Sequence, residues 1–527
     1  MSKQLLHSHN SNVIVAALNH RAFAVISSDQ SSQNAIVYEL MAGNNDKSSD
    51  NKSSNNNNDD NEIQAVCCTQ IGSNLVFAVS RGVKTLSLYS IPSSQTNTTL
   101  TEGEEKAKLL YPSAIYNLPK RARCLSFTPV EELQVVVAGD LSGDAIAFPV
   151  PTDAPSSTAT ENEAVMPKST PKRLLLGHTA SMLTGLNVVS SSSDSQQQFL
   201  LTSDRDETVR ISYFPETHII HGYLLGHSSF ISCMDAICSD DRSLCLTASG
   251  DGTSRLWDYQ TCKEVGMLPV VIKKSTEEEE KEGDVMEEEE SEGKDAQEDS
   301  VEMEGNEEEE EDDFDEDFDE DGGEEETFDQ HTVAVPLSVA LHPDAKFAAV
   351  ARDEISSIDI HPIPPVAEKS SLSTSFQLSN FVSLHKKQTL DCKSQPLAVR
   401  FTSDSSVLVL AREPAYLLHF SATDGVTFND ISESSNLTKA LCKVAQSENI
   451  IMPTTTLERN DHGQCTLQKK EDRKELTAQQ NAEKGGLHWN DPGRKVTAKK
   501  AQARKRQRKM ERKKEEGDKP TTEEASN

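Results

Sequence analysis

The sequence has no long apolar run. Its longest, Val13 to Leu18, covers six residues, far short of the ~20 that a membrane-crossing helix needs. The opening MSKQLLHSHNSN has no apolar core segment, so no signal peptide is expected. Cysteine is sparse, with 10 in 527 residues. Neither Cys67-Cys68 nor Cys233, Cys238 and Cys245 has the CxxC spacing of a zinc site. Reduced, buried thiols in an intracellular protein are the expectation, with no metal site. Hydrophobic residues make up only 35%, below the usual ~45–50%, so much of the chain cannot be core. GxGxxG, GxxxxGK, HExxH and GxSxG are all missing. No strand–helix alternation of a nucleotide-binding unit appears either, which argues against an enzyme.

Charge is abundant but uneven. The formal net charge is −34. Residues 277–329 hold 33 Asp/Glu against two lysines, Lys281 and Lys294, whereas 494–514 hold 12 Lys/Arg against one Glu. The acidic balance therefore belongs to one insertion, not to the folded body. Residues 41–62 are rich in Asn, Ser and Asp, and 93–107 and 151–170 in Ser, Thr and Glu. Such segments cannot bury enough apolar surface to offset ordering entropy, so they read as disordered insertions.

Between them lie repeats. GHTASMLTGLNVVSSSSDSQQQFLLTSDRDETVRIS (177–212) aligns with GHSSFISCMDAICSDDRSLCLTASGDGTSRLWDY (226–259). A Gly-His…Trp-Asp pattern with a spacing near 40–45 residues marks a four-stranded propeller blade. Such a blade cannot bury both faces alone, so blades stack and close a ring. In the second repeat His227 can bond the turn carboxylate Asp251, and Thr247 or Ser249 with Trp257 can extend the network. In the first, His178 and Asp206 are kept, but Ser212 stands where Trp would. Taking Tyr38, Tyr89, Phe148, Ser212, Trp257, Asp359 and His419 as third-strand anchors gives seven units. The reading is an all-β, seven-bladed WD40-type β-propeller over 11–421. It is interrupted at 41–62 and 275–329, and followed by an extension (422–493) and a basic tail (494–527). A Ser/His/Asp set that recurs once per blade is structural, not catalytic.

LLTSDRDETVRIS (200–212), LLGH (224–227) and SGDGTSRLWDY (249–259) closely resemble the WD-repeat non-catalytic subunit of the eukaryotic tRNA (guanine-N7-)-methyltransferase. KRARCLSF (120–127), AGDLSGD (138–144) and LLLGHTASML (174–183) add to the likeness. The resemblance implies a propeller that does no chemistry. It would hold a separate catalytic subunit, which binds S-adenosylmethionine and methylates N7 of a guanosine in the tRNA variable loop. It would itself carry no cofactor. The resemblance also implies that Arg210 pairs with acid on that subunit and that Lys120-Arg121 belong to a contact region. Arg205, Lys172 and Arg173 are further candidate partner contacts. Two positions depart from the family: Thr208 stands where a basic residue or His is common, and Leu141 stands where the family has Lys.

Each of these residues has a plainer role available. Arg205 and Arg210 can be strand-end charges paired with Asp204, Asp206 or Glu207, and exposed pairs of that kind are weak. Lys172 and Arg173 can be solvated. The tail, with Arg504, Lys505, Arg506, Arg508 and Lys509, can neutralise tRNA phosphates, serve nuclear import, or be a solvated tether. A nuclear location follows from the import reading. The competing function is a nuclear WD-repeat assembly factor or chaperone for histones or ribosomal proteins, with the acidic insertion as its docking site.

Overall fold

The computed structural model describes residues 3–27, 35–43, 62–94, 107–129, 134–151, 172–179, 181–192, 197–239, 242–271, 333–364, 387–422 and 425–452, with 458–459 and 465–466. The polar loop, the acidic insertion and the basic tail fall almost wholly outside these residues, as do most of 93–107 and 151–170.

Seven antiparallel sheets follow one another along the chain. The first blade has β1 (Leu6–Asn10), β2 (Val13–Leu18), β3 (Arg21–Ser27) and β4 (Ala35–Leu40). The second has β5 (Ile63–Ile71), β6 (Asn74–Arg81), β7 (Thr85–Pro92) and β9 (Ala114–Asn117). The intervening β8 (Lys108–Leu110) runs back to pair in parallel with β4. The third comprises β10 (Ala122–Phe127), β11 (Val135–Asp140), β12 (Asp144–Pro149) and β13 (Arg173–Gly177). The fourth comprises β14 (Leu183–Ser190), β15 (Gln198–Asp204), β16 (Val209–Phe214) and β17 (Ile220–Leu224). The fifth comprises β18 (Ile231–Ser239), β19 (Arg242–Ser249), β20 (Ser254–Asp258) and β21 (Lys263–Leu268). The sixth comprises β22 (Pro336–Leu341), β23 (Phe347–Arg352), β24 (Ser357–Pro362) and β25 (Gln388–Asp391). The seventh comprises β26 (Pro396–Phe401), β27 (Val407–Ala411), β28 (Leu417–Ala422) and β29 (Phe428–Asp430).

The middle strands are apolar on both faces because blades pack face to face. β2 (VIVAAL) and β27 (VLVLA) are buried throughout, as short continuous apolar runs predict for fully buried strands. Their side chains form clusters between successive blades. One, for example, joins Leu244, Leu246 and Leu256 of the fifth blade to Val339, Leu341 and Val350 of the sixth.

The seven-bladed expectation holds, with two differences. Tyr38 sits on the fourth strand of its blade, not the third, because β2 and β3 are joined by a turn at Asn19-His20 that carries no Gly-Asp signal. The strands also reach beyond 11–421. Leu6–Asn10 supplies the inner strand of the first blade and Phe428–Asp430 the outer strand of the last. Within the expected extension lies helix α1 (Asn436–Ser447). Ser435 caps it by accepting from the Thr438 N–H, and Leu437, Leu441, Val444 and Ala445 share its buried face. A separate unit contributes a two-stranded pairing of Glu458–Arg459 with Cys465–Thr466.

Candidate functional site: the fourth blade and its flanks

The fifth blade shows the full polar network. The His227 ring approaches the Asp251 carboxylate at 3.0 Å through Nδ1 and Thr247 Oγ1 at 2.8 Å through Nε2, and Trp257 Nε1 donates to the same Thr247 oxygen at 2.8 Å. Thr247 is therefore the bridge, while Ser249 Oγ donates to the Ser229 carbonyl. Burial alone would raise the Asp251 pKa. Hydrogen bonds from His227 and Thr253 outweigh it and hold the carboxyl well below the usual range.

The fourth blade departs from this in three ways. First, His178 does not bond Asp206. Its Nδ1 meets Asp204 at 2.7 Å and its Nε2 meets Thr202 at 2.8 Å. Asp204 ends β15 and is buried, and its other oxygen accepts the N–H groups of Asp206 and Thr208. The turn is thus organised from Asp204, which leaves Asp206 exposed beside Arg205. Asp140 does the same in the third blade, accepting from the N–H groups of Ser142 and Asp144. Second, Glu207 has φ 71°, where the corresponding residues of the flanking blades are glycines, Gly143 at 93° and Gly252 at 81°. A non-glycine residue held there stores backbone strain. Third, Ser212 is buried where Trp257 stands next door.

Arg210 answers the third change. It pairs in register with Thr202 on one side and Tyr223 on the other. Its Nε donates to Ser212 Oγ at 3.0 Å and its Nη2 to the Thr217 carbonyl at 2.9 Å. The plainer reading that paired it with Asp204, Asp206 or Glu207 is therefore not what is seen. Among the described residues no carboxylate engages it. In the next blade Arg255, at the same register position, is committed to Glu264 at 2.6 Å. Arg210 is thus a half-exposed guanidinium held in place by neutral oxygens, with Nη1 unengaged among the described residues.

The surroundings of Arg210 are apolar and exposed. Ile219, Ile220, Tyr223 and Leu225 are 48%, 42%, 43% and 67% exposed, and Tyr223 lies directly opposite Arg210 across the β16–β17 pair. Four large apolar side chains open to solvent around one edge strand go beyond the scattered exposure normal for a surface. The sequence reading missed them. The signal was HIIHGYLLGH (218–227), an outer strand without a charge, where β21 carries Lys263 and Glu264. Outer edges are normally guarded by charge.

The other predicted contacts fall into two groups. Lys172 and Arg173 open β13 as exposed cations beside Leu174, itself 61% exposed. Thr217 links that strand to the Arg210 surface, since its hydroxyl donates to the Leu175 carbonyl while its carbonyl accepts from Arg210. Lys120, exposed, and Arg121, half-buried, lie instead on the link into β10. The Arg121 carbonyl accepts the Leu141 N–H there, and the Met182 carbonyl likewise accepts the Arg205 N–H. Lys120, Arg121 and Arg205 therefore share the end of the ring that carries the turns between second and third strands. The tail residues Arg504, Lys505, Arg506, Arg508 and Lys509 lie outside the described residues. Among the described residues no His, Cys, Asp and Glu group is arranged to hold a metal ion, and no helix is long and apolar enough to cross a membrane.

Residues 156–298, which contain both clear repeats, match the family described as the tRNA methyltransferase TRM82 WD40 domain. Curated relatives similar to this chain carry one description, tRNA (guanine-N(7)-)-methyltransferase non-catalytic subunit. TRM82 of Coccidioides immitis (strain RS) is 34% identical over 194 residues, 29% of this chain and 36% of that one. The wuho protein of Aedes aegypti is 42% identical over 96 residues, 18% and 22%. WDR4 of Homo sapiens is 32% identical over 143 residues, 27% and 29%. The resemblance read from LLTSDRDETVRIS and SGDGTSRLWDY is borne out over this stretch. The chain spans between 22% and 36% of the lengths of these relatives.

Proposed function

We propose that this chain is the non-catalytic, scaffolding subunit of a tRNA guanine-N7 methyltransferase and is not itself an enzyme. The observation that carries the reading is the family match over 156–298, because it covers the blade where Arg210, engaged by no carboxylate among the described residues, lies opposite the exposed Tyr223. A planar guanidinium suits a bidentate carboxylate contact. Apolar residues around it would exclude water and strengthen that contact, as at the centre of interfaces.

The partner would be the catalytic subunit, which binds S-adenosylmethionine and forms 7-methylguanosine in the tRNA variable loop. This propeller would hold that subunit in its active form, reach tRNA through the complex, and work in the nucleus, with the basic tail as import signal. Affinity purification of the tagged chain tests the reading. Recovery of an S-adenosylmethionine-dependent methyltransferase is the expected result. Recovery of histones or ribosomal proteins without one would favour the assembly-factor reading, in which the acidic stretch 277–329 is the docking site.

A further inference from the structure

Among the described residues no strand is shared between the first and the last blade. The ring must therefore be closed by other means. The inner strands touch directly: Ser8 Oγ donates to the Phe401 carbonyl at 3.0 Å, and Arg400 Nε to the Leu6 carbonyl at 3.3 Å. Comparable bonds join other neighbours, such as Ser232 Oγ to the Pro336 carbonyl between the fifth and sixth blades. The seam between the seventh and first blades carries something more, a segment of chain that packs into its apolar cluster.

We propose that residues 431–452 form a latch that closes the propeller in place of a shared strand. On the seventh blade, Ser432 Oγ accepts the His419 N–H at 2.9 Å, and the N-cap Ser435 meets His419 Nδ1 at 2.8 Å. Cys442 donates to the Ala415 carbonyl, Tyr416 Oη to the Ile450 carbonyl at 2.8 Å, and the Met452 N–H to Glu413 at 2.6 Å. On the first blade, Arg21 forks between Glu39 and Glu448, and Asn19 Nδ2 donates to the Ile451 carbonyl at 3.0 Å. Between these two rows Leu437, Leu441, Val444, Ala445, Ile450 and Met452 enter one apolar cluster. The same cluster contains Val15 and Phe23 of the first blade and Leu410 and Leu417 of the seventh, and it extends to Phe77 and Tyr89 of the second. The segment bonds to both ends of the ring, and its helix packs against β3 and β4 of the first blade and β28 of the seventh. A strap of that placement resists opening at one seam, whereas an ordinary core element stabilises all blades together.

The difference is measurable by hydrogen exchange on the full chain. Leu441→Ala removes a fully buried side chain from the latch. It should speed exchange in β1 to β3 and in β27 and β28 by roughly tenfold or more, as local opening does, and leave β15, β16 and β19 at their original protection. Truncation after Met452 should change neither set, while truncation after Ser434 should reproduce the seam effect in stronger form. If that shorter chain does not fold, the Leu441→Ala exchange pattern decides alone. Exchange raised evenly through all seven blades, or left unchanged at the seam, would overturn the latch.

Discussion

Arg210 lies along its own strand to reach Ser212, the residue that stands where Trp257 stands in the next blade, with Nε and Oγ 3.0 Å apart. The small side chain and the arginine are complementary. A tryptophan at 212 would have no room for the guanidinium to lie back, and without the guanidinium Ser212 would lose its donor.

Arg210→Glu should therefore keep the propeller folded and break the proposed complex with a catalytic subunit. Within the chain it removes two hydrogen bonds to neutral oxygens, a cost of about 1–3 kcal/mol. Across an interface it replaces attraction with repulsion, and losing one partner of a buried charge pair costs about 2–5 kcal/mol, roughly 30- to several-thousand-fold in affinity. Co-purification and melting temperature separate the two effects. Normal binding at physiological salt would remove Arg210 from the interface, and an unfolded product would make it a structural residue. Thr208→Lys, which supplies the charge common in the family that the sequence resembles, should strengthen binding or leave it unchanged.

Glu207→Gly tests the strained turn. Relief of a left-handed backbone is worth about 1–2 kcal/mol, and the greater freedom of glycine in the unfolded chain takes back about 0.5–1. A net gain of between zero and about 1.5 kcal/mol is expected in denaturant titration. A clear loss would mean that the glutamate side chain stabilises the turn by more than its backbone costs.

The Thr247 bridge makes a graded prediction. Thr247→Val leaves His227 Nε2 and Trp257 Nε1 without a partner, at about 1–3 kcal/mol for each orphaned group. Thr202→Val in the fourth blade orphans only His178 Nε2 and should cost roughly half as much. Equal costs in urea unfolding would show that the Trp257 bond carries no stability.

The fold was legible because two repeats keep a polar network whose members cannot be scattered without orphaning one another. His227, Asp251 and Trp257 named their blade from the sequence, and the structure joins them. His178 was legible but its partner was not, since Asp204 and Asp206 are chemically alike and only the course of the turn decides between them. Tyr38 was misplaced for a related reason: the first blade has no Gly-Asp turn to set register, and strands apolar on both faces carry no period. The apolar surface of β17 stayed hidden because an outer strand with exposed Ile220 and Tyr223 reads like any buried one until the neighbouring sheet is seen to leave it bare.

Acid should loosen the protein through buried imidazoles. Burial, and then the nearby charge of Arg400, push His7 from 6.5 down to about 3. Its Nδ1 accepts the Cys68 N–H at 3.3 Å, so the ring is held neutral. In the unfolded chain the same histidine takes up its proton near 6.5. Its stabilising contribution is therefore complete above that pH and falls as pH drops from about 6.5 toward 3, by up to ~1.4 kcal/mol per pH unit. Burial also lowers His342, His361 and His419, which steepens the same limb. Melting temperatures between pH 7 and 4 should fall, and His7→Gln should flatten the curve. An unchanged slope in that variant would place the acid sensitivity elsewhere.

Deleting residues 277–329 should leave folding and partner binding intact. The stretch holds 33 acidic residues and lies between β21 and β22, which belong to successive blades. The chain on either side of it is already brought together: the Ala334 N–H donates to the Val271 carbonyl at 3.0 Å. The residues that remain, 272–276 and 330–332, then need only close a gap whose ends are in contact. Shortening such a loop lowers its closure entropy, a gain of about 1–2 kcal/mol in the logarithmic estimate, and removes like-charge repulsion besides. Circular dichroism and a melting curve equal to or above that of the full chain are expected, with the proposed methyltransferase partner still recovered on affinity purification. A molten or aggregated product would put core residues inside the deleted stretch. A folded product that no longer recovers its partner would move the binding surface from the fourth blade to the acidic insertion.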